Sequence, residues 1–485
     1  MHRSTLVVGL AGAMSLAGVV VAKDASACGG CFRPPAQTDT DITDERMLLS
    51  VSPTQTTLYD QIQYSGNPSS FAWVLPIHGT VSVGLSADVL FASVDTLTAT
   101  TILQPLSDCP APACASGHGQ TTGPGECAGG ACGTPNNNGG GGGVVVTKQQ
   151  NVGPYATVQL KSTSPTALDA WLTTNGFDIP ADVQTILAAY VAEGFDFLAM
   201  KLLPGQGVQA MRPVRVSMPG ASLSLPLRMA AIGTGATVGI TIWVVSDGRY
   251  IPQNFPFFHI EDSELVWDWA TGSSNYTTLR SQHEAAFNGK GWELESSLSI
   301  AQQTLSGVIQ SGGVYYGNAG GGGAVNVPPP ADASQDYLPG TAADGTMETA
   351  EQVRADDITA LFAGMSPPNV RITRMRSDIS HASMTTDFVL AAAMDQSELS
   401  NVRNVTQQVN VQCPIYGGSD CTLIGYGSPG QAQSAMDQSP PGGSPRGGSF
   451  ACNATPAEPF GGQVGLGAAV AMIGLAVTRA RRRRG

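Results

Sequence analysis

Charge is scarce in this 485-residue sequence, with Asp, Glu, Lys and Arg together reaching 13%, about half the share of an ordinary soluble domain. Aromatic residues are few as well, at 6%, yet 42% of the residues are hydrophobic. That is enough apolar material for a sizeable core, so global disorder is excluded. Basic residues are the scarcer sign, 24 Lys and Arg against 37 Asp and Glu. Several of them (Arg3, Lys23, Arg479 and Arg481–Arg484) sit at the two ends, so the bulk of the chain is more acidic than the overall net charge of −13 suggests. Such a surface repels phosphate backbones, and nucleic acid is not an expected partner. Catalytic signatures are also missing: no Gly-x-Ser-x-Gly elbow and no phosphate loop occurs. His283-Glu284-Ala285-Ala286-Phe287 opens like a zinc-protease helix but carries Phe287 where the second histidine must stand. Gly425-Tyr426-Gly427-Ser428-Pro429-Gly430 matches the letters of a dinucleotide loop. Pro429 and the spacer after it predict no helix there to receive a pyrophosphate. No cofactor and no metal is expected, and the reading leans away from an enzyme.

What the chain has in abundance is Gly (59) and Pro (32), which argues against a mainly helical protein and for long linkers. Its ends carry export signals. Residues 1–27 combine His2 and Arg3, an apolar run from Leu6 to Ala22 and the small-residue ending Ala25-Ser26-Ala27. This is a secretory signal with cleavage expected between Ala27 and Cys28. The other end, residues 461–485, holds the uncharged run Val464–Val477 followed by the arginine cluster. That run rises only about 21 Å at roughly 1.5 Å per residue, short of the ~30 Å hydrocarbon core, so it is a marginal span. With the arginines held inside, residues 28–460 are expected outside the cytoplasm, with the membrane as a partner through the C-terminal tail.

Nine cysteines follow from that setting. In an exported chain an even set reads as disulfides. Spacing suggests three local groups: Cys28 with Cys31; Cys109, Cys114, Cys127 and Cys132; and Cys413 with Cys421. Cys452 is left over, beyond a Pro/Gly/Ser spacer and just before the hydrophobic tail, and is a candidate for processing or lipidation. Two alternatives stay open. Four thiolates at paired spacing could close a zinc site in the Cys109–Cys132 run, and Cys28-Gly29-Gly30-Cys31 could form a redox couple.

Strand patterns dominate the rest. Alternation from Met47 to Val51, the stretch Thr57–Tyr64 and the apolar run Phe71–Ile77 read as neighbouring antiparallel strands. Further strands are predicted at Val144–Lys148, Tyr155–Leu160, Phe195–Leu203, Pro213–Met218, Leu223–Met229, Thr237–Val245, Val370–Met375 and Asp387–Ala393. Ser86 reads as the cap of a short helix presenting Val89, Leu90, Val94 and Leu97, and Ser164-Pro165 as the start of another that stops at Gly176. Helices are also predicted around Val183–Val191, over Thr277–Phe287 and over Asp356–Phe362. The fold class is α+β and strand-rich, an antiparallel sheet or sandwich with a few short helices, Gly-rich insertions and a C-terminal hydrophobic anchor. The organisation reads as a signal peptide (1–27), a main exported domain (28–310) with a Cys/Gly-rich insertion (109–143), and a Gly/Pro linker (311–331). A smaller C-terminal segment of the domain (332–426), a spacer (427–460) and the sorting or membrane segment (461–485) follow. One surface cluster stands out as a candidate ligand site: Asp262, Glu264, Trp267, Asp268 and Trp269, where acidic groups alternate with indoles that could hold a cation or a sugar.

Several blocks resemble a known family. Ala27-Cys28-Gly29-Gly30-Cys31-Phe32 after the signal, Glu45-Arg46, Gln61-Ile62-Gln63-Tyr64-Ser65-Gly66 and Phe71-Ala72-Trp73-Val74-Leu75-Pro76 resemble the exported bacterial domain of unknown function 2330 family. Val152-Gly153-Pro154-Tyr155, Trp171-Leu172, Phe197–Lys201 and Leu225-Pro226-Leu227-Arg228-Met229 look like its later blocks. The family brings no catalytic residues. The tail resembles a MYXO-CTERM sorting signal, which implies engagement with export and sorting machinery, processing near Cys452, lipid attachment and display at the outer cell surface. The expected function is a non-catalytic binding or structural protein of the cell envelope with an unknown extracellular ligand. The alternative is an extracytoplasmic redox or metal-dependent enzyme using Cys28 and Cys31 or the Cys109–Cys132 cluster.

Overall fold

A computed structural model describes residues 31–32, 41–65, 72–109, 145–175, 181–206, 211–232, 234, 236–311, 316–319, 323–326, 337–342, 345–366, 368–417 and 422–437. Two sheets organise the chain. Their strands, in chain order, are β1 (Cys31–Phe32), β2 (Asp41–Val51), β3 (Gln55–Ser65), β4 (Ala72–Ile77), β5 (Ser82–Leu85), β6 (Val145–Val152) and β7 (Tyr155–Lys161). They continue with β8 (Asp196–Leu202), β9 (Val214–Pro219), β10 (Thr237–Ser246), β11 (Phe257–Phe258), β12 (Trp292–Ala301) and β13 (Asn369–Ser380). The helices that cover them are α1 (Asp88–Thr98), α2 (Pro165–Thr174), α3 (Ala181–Ala192), α4 (Tyr276–Ala286), α5 (Gln302–Gln310) and α6 (Ala350–Leu361).

The larger sheet has eight strands in the order β11-β12-β13-β10-β2-β3-β9-β5, and the smaller has five in the order β1-β4-β8-β7-β6. All pairs are antiparallel except β10 with β2 and β11 with β12. The strand-rich α+β reading therefore holds, and β13, which follows the Gly/Pro linker, lies between β12 and β10. Period-two alternation assigns the faces. Leu49 and Leu58 of the larger sheet meet Leu75 and Ile77 of the smaller, and these residues join one continuous buried core. The opposite face of the smaller sheet, with Val74, Leu160, Phe197 and Ala199, packs on Leu168, Leu172, Val183 and Leu187 of α2 and α3. The opposite face of the larger sheet lies under α1, α4 and α6. Trp243 of β10, fully buried, meets Phe91 of α1 edge-on at 6.2 Å and donates its Nε1–H to Thr98 Oγ1 at 2.9 Å.

Local chemistry explains most element boundaries. Ser164 Oγ accepts from Ala167 N at the start of α2, and Pro165 occupies the first turn. Thr349 and Gln352 form a reciprocal capping box that opens α6 at Ala350, ahead of the predicted Asp356. Three expectations about these elements need correction. The run Phe71–Ile77, expected to neighbour the strands over Met47–Val51 and Thr57–Tyr64, forms β4 in the smaller sheet, paired with β1 and β8. Leu223–Met229 is not one strand: Ser224–Leu225 is extended, and after Pro226 the chain makes a helical turn over Leu227–Ala230. The helix that Pro429 was expected to exclude is present, over Pro429–Asp437, because proline at a helix start costs no hydrogen bond. One of its N-terminal donors is answered within the chain, Ser428 Oγ accepting from Gln431 N, and the preceding strand Thr422–Gly427 is half of a two-stranded antiparallel hairpin. A dinucleotide site needs a parallel β-α-β unit, so none is formed here.

Cys109 is bonded to Cys413 across a separation of 304 residues, with Cα atoms 5.3 Å apart. This pairing crosses two of the local groups and corrects the expectation that Cys413 pairs within its own. Cys28, Cys114, Cys127, Cys132, Cys421 and Cys452 lie outside the described residues, as do the signal cleavage site at Ala27 and the tail 461–485; Cys31 is described through its backbone in β1. Among the described residues, no helix is long and apolar enough to cross a membrane. Closing so long a loop restricts the unfolded chain, so replacing Cys109 and Cys413 by serine together is expected to lower stability by about 2–5 kcal/mol. Urea unfolding of the oxidised protein and the double variant measures the difference, and coincident transitions would contradict it.

Candidate functional site

One cross-strand row of the larger sheet carries unusual side chains. Reading from the edge, Gly84 of β5 pairs with Arg215 of β9, Arg215 with Tyr59 of β3, Tyr59 with Leu48 of β2, Leu48 with Trp243 of β10 and Trp243 with Arg374 of β13. These residues share the face covered by helices. Both arginines are therefore placed under the helix layer, where an unpaired charge is costly. Each is met by an aspartate from a helix, Asp357 of α6 and Asp95 of α1.

Asp357 is fully buried, on the inward stripe of α6 with Val353 and Leu361. Its carboxylate accepts from Ser86 Oγ at 2.6 Å, Tyr337 OH at 2.7 Å and Arg215 Nη1 at 3.1 Å, and its backbone carbonyl accepts from Tyr59 OH at 3.0 Å. Burial pushes the Asp357 carboxyl above the ordinary aspartate range, and Arg215, Ser86 and Tyr337 pull it back toward the charged form. Ser86, expected to cap α1, is used here; the cap position is Ala87, with no side-chain bond. Gly84 provides the seat for the guanidinium, because a Cβ at that position would lie 2.7 Å from Arg215 Nη2. Above this seat, between β5, β9 and the start of α6, is a cavity of about 330 Å³ whose lining includes Ser82, Arg215, Thr341, Glu348 and Asp356. That volume lies at the lower end of the ~300–1,000 Å³ typical of small-molecule sites.

At the other end of the row, Arg374 bonds both Asp95 and Glu295 and lies over the Trp243 ring at 5.1 Å. Beside it Tyr276 OH donates to Glu293 Oε1 at 2.7 Å. Glu293 is fully buried, with Oε2 unbonded among the described residues. Burial first, and the charge of Glu295 second, push its carboxyl up to about 7. These groups bind one another under α1 and α4, and their chemistry is that of a structural network.

The five residues of the predicted ligand cluster are all half-buried. Glu264 accepts from Glu261 N at 2.8 Å and sits 2.9 Å from His283 Nε2; Asp268 accepts from Ala270 N and Asn410 Nδ2; Trp269 Nε1 donates to Gln408 Oε1. Trp267 and Trp269 meet edge-on at 6.3 Å, and Asp262 begins the short 3-10 turn that ends at Glu264. Among the described residues, no group of three or more His, Cys, Asp or Glu is placed to hold a metal ion. The zinc-protease-like stretch is structural: His283 stacks on Phe258 at 4.9 Å and Glu284 Oε1 accepts from Asp378 N. Sequence reasoning missed Arg215, Ser86 and Asp357. The available signal was Asp357 standing at the fifth position of a Val353-to-Leu361 apolar stripe.

Fold and site together define a strand-rich α+β protein with two packed sheets flanked by helices and a polar cavity at the edge of the larger sheet. The chain belongs to the bacterial family DUF2330, described as an uncharacterized protein conserved in bacteria: a model of that family matches residues 22–356. No curated protein and no solved structure matches the chain. The matched stretch contains Arg215, Ser86 and Tyr337 and ends one residue before Asp357.

The raised Glu293 carboxyl has a consequence for stability. A carboxyl whose pKa is higher in the fold than the ordinary 4.5 holds its proton more tightly when folded, so its contribution is fully present below about 4.5 and is lost as pH climbs through about 7. Converted at 1.36 kcal/mol per pH unit, this amounts to about 3 kcal/mol. Asp60, also raised to about 7 by burial, acts in the same direction. Glu293→Gln is expected to remove roughly 3 kcal/mol of the stability difference between acid and mildly alkaline urea titrations; an unchanged difference would contradict the assignment.

Proposed function

We propose that this protein is a non-catalytic binding or structural component of the bacterial cell envelope. In this reading it is exported by residues 1–27, held at the membrane by residues 461–485 and displayed on the outer-membrane surface. The Cys109–Cys413 disulfide is the observation that carries the reading, because such bonds form and persist in oxidising compartments. It also anchors the start of the Cys/Gly-rich insertion to the C-terminal hairpin, as suits a chain that works unattended by cytoplasmic reductants. The cavity beside Arg215 supports a binding role: its polar groups are charged and hydroxylic, and its guanidinium is held in place by Asp357. The alternative of a metal enzyme in the Cys109–Cys132 run is less well supported, since Cys109 is committed to the disulfide and is not a thiolate ligand.

Fractionation of the producing bacterium tests this reading, combined with intact-mass analysis and non-reducing peptide mapping. The expected protein begins at Cys28, carries the Cys109–Cys413 cross-link, is processed or lipidated at Cys452 and is cleaved by protease added to whole cells. A soluble cytosolic chain beginning at Met1 with Cys109 reduced would overturn it.

A further inference from the structure

Strand β5, at the end of the larger sheet, is paired on one side only. Which of its backbone groups face the other side follows from the register. Ser86 N donates to Pro213 O at 2.9 Å, so Ser86 and Pro213 are a hydrogen-bonded pair. Antiparallel strands alternate bonded and non-bonded pairs, which makes Gly84 with Arg215 and Ser82 with Ser217 the bonded ones. The N–H and C=O groups of Val81, Val83 and Leu85 therefore point away from β9. At Val81 both are answered by Gln159 of β7, whose Oε1 accepts from Val81 N at 2.9 Å and whose Nε2–H donates to Val81 O at 2.7 Å. A side-chain carboxamide thus stands where the peptide group of a further strand would lie. At Val83 and Leu85, both buried, no described residue answers. Unpaired backbone groups away from water are costly, and an open edge is a template for another strand.

The cavity lies beside this edge, lined by every residue of β5 and by Gly340, Thr341 and Ala342. The Arg215 guanidinium fills the space over Gly84, so the approach left to a ligand is along the edge, in the plane of the sheet. The residues of Ser82–Leu85, at roughly 3.3 Å each, give about 13 Å of edge, enough for three or four residues of an extended chain. Asp356 also lines the cavity, exposed and without an ion-pair partner among the described residues. The geometry points to strand addition: β5 takes up an extended segment of another polypeptide that carries a basic side chain toward Asp356. The net charge of −13 favours a partner of the same basic character. Hydrogen bonds to Val83 and Leu85 hold the segment, continuing the row that Gln159 begins at Val81. The inference rests on the binding half of the proposed function and is independent of where the protein resides.

Isothermal titration of the full, oxidised chain tests it with an acetylated, amidated hexapeptide of alternating threonine and valine that ends in lysine. Saturable binding is expected, together with slowed amide exchange at Val83 and Leu85. Two N-methylated forms of the peptide locate the pairing, because only alternate residues of an added strand turn their N–H groups toward β5. Methylation of one alternate set is expected to weaken binding at least about tenfold, and of the other less than about threefold. Replacing the lysine by glutamate is expected to weaken binding about three- to tenfold, and Asp356→Asn to abolish that preference. No saturable heat, equal losses from the two methylated forms, unchanged exchange at Val83 and Leu85, or equal affinity for the lysine and glutamate peptides would overturn the inference. Protein found at the cell surface with its disulfide intact but taking up no peptide would sink the inference alone and leave the envelope reading standing.

Discussion

The buried ion pair between Arg215 and Asp357 is the constraint on which the helix side of the molecule depends. Strand β9 places a guanidinium on the covered face of the larger sheet, and the covering helix must supply the answering charge. Desolvating both groups is expensive, and removing one partner from such a pair typically costs about 3–5 kcal/mol because the other is stranded. Ser86 and Tyr337 complete the shell of Asp357, and Tyr59 bonds the backbone of the same residue. One residue thus gathers β3, β9, the loop before α1, the segment before α6 and α6 itself. The capping box at Thr349 fixes where α6 begins and hence which residue meets the sheet.

The same logic repeats at the other end of the row, where Asp95 and Glu295 receive Arg374. Between the two arginines lie Tyr59, Leu48 and Trp243, all buried. An apolar centre flanked by paired charges sets the lateral position of α1 and α6 more tightly than apolar packing alone, since sliding α6 by one turn would strand Asp357 and Arg215, and sliding α1 would take Asp95 away from Arg374. Among the described residues the opposite face of the sheet relies chiefly on aliphatic and aromatic packing against the smaller sheet, with the buried carboxylates of Asp60 and Glu45 set into it. A fold braced by charge on one side and by hydrophobic contact on the other leaves its cavity where the bracing ends, at the edge strand β5.

How much of this was legible in the sequence follows from the range of each interaction. The strand over Met47–Val51 declared itself through alternation, strands over Thr237–Val245 and Val370–Met375 were legible as well, and Ser164-Pro165 announced α2 through capping chemistry that acts over a few residues. Family membership was readable from short blocks of the main domain. Arg215 was not, because Val214-Arg215-Val216 reads as a strand with one wet face, and only the position of α6 makes that face dry. Ser86 has two uses open to it, as a cap and as a donor to a distant carboxylate, and its neighbours in sequence cannot decide between them. The disulfide failed for the same reason: local spacing favoured Cys413 with Cys421, whereas the fold brings Cys109 to it from 304 residues away. The cavity combines segments around residues 83, 215, 341 and 356, so nothing in any one stretch could reveal it.

The central claim is that Arg215 and Asp357 act as one unit. A double-mutant cycle in urea, comparing the native chain with Arg215→Met, Asp357→Leu and the pair together, tests it most directly. The account predicts that each single change is strongly destabilising and that the double variant recovers at least about 2 kcal/mol relative to the sum of the two, because neither charge is then stranded. Strict additivity of the two single effects would show that the groups are not coupled and would contradict the account.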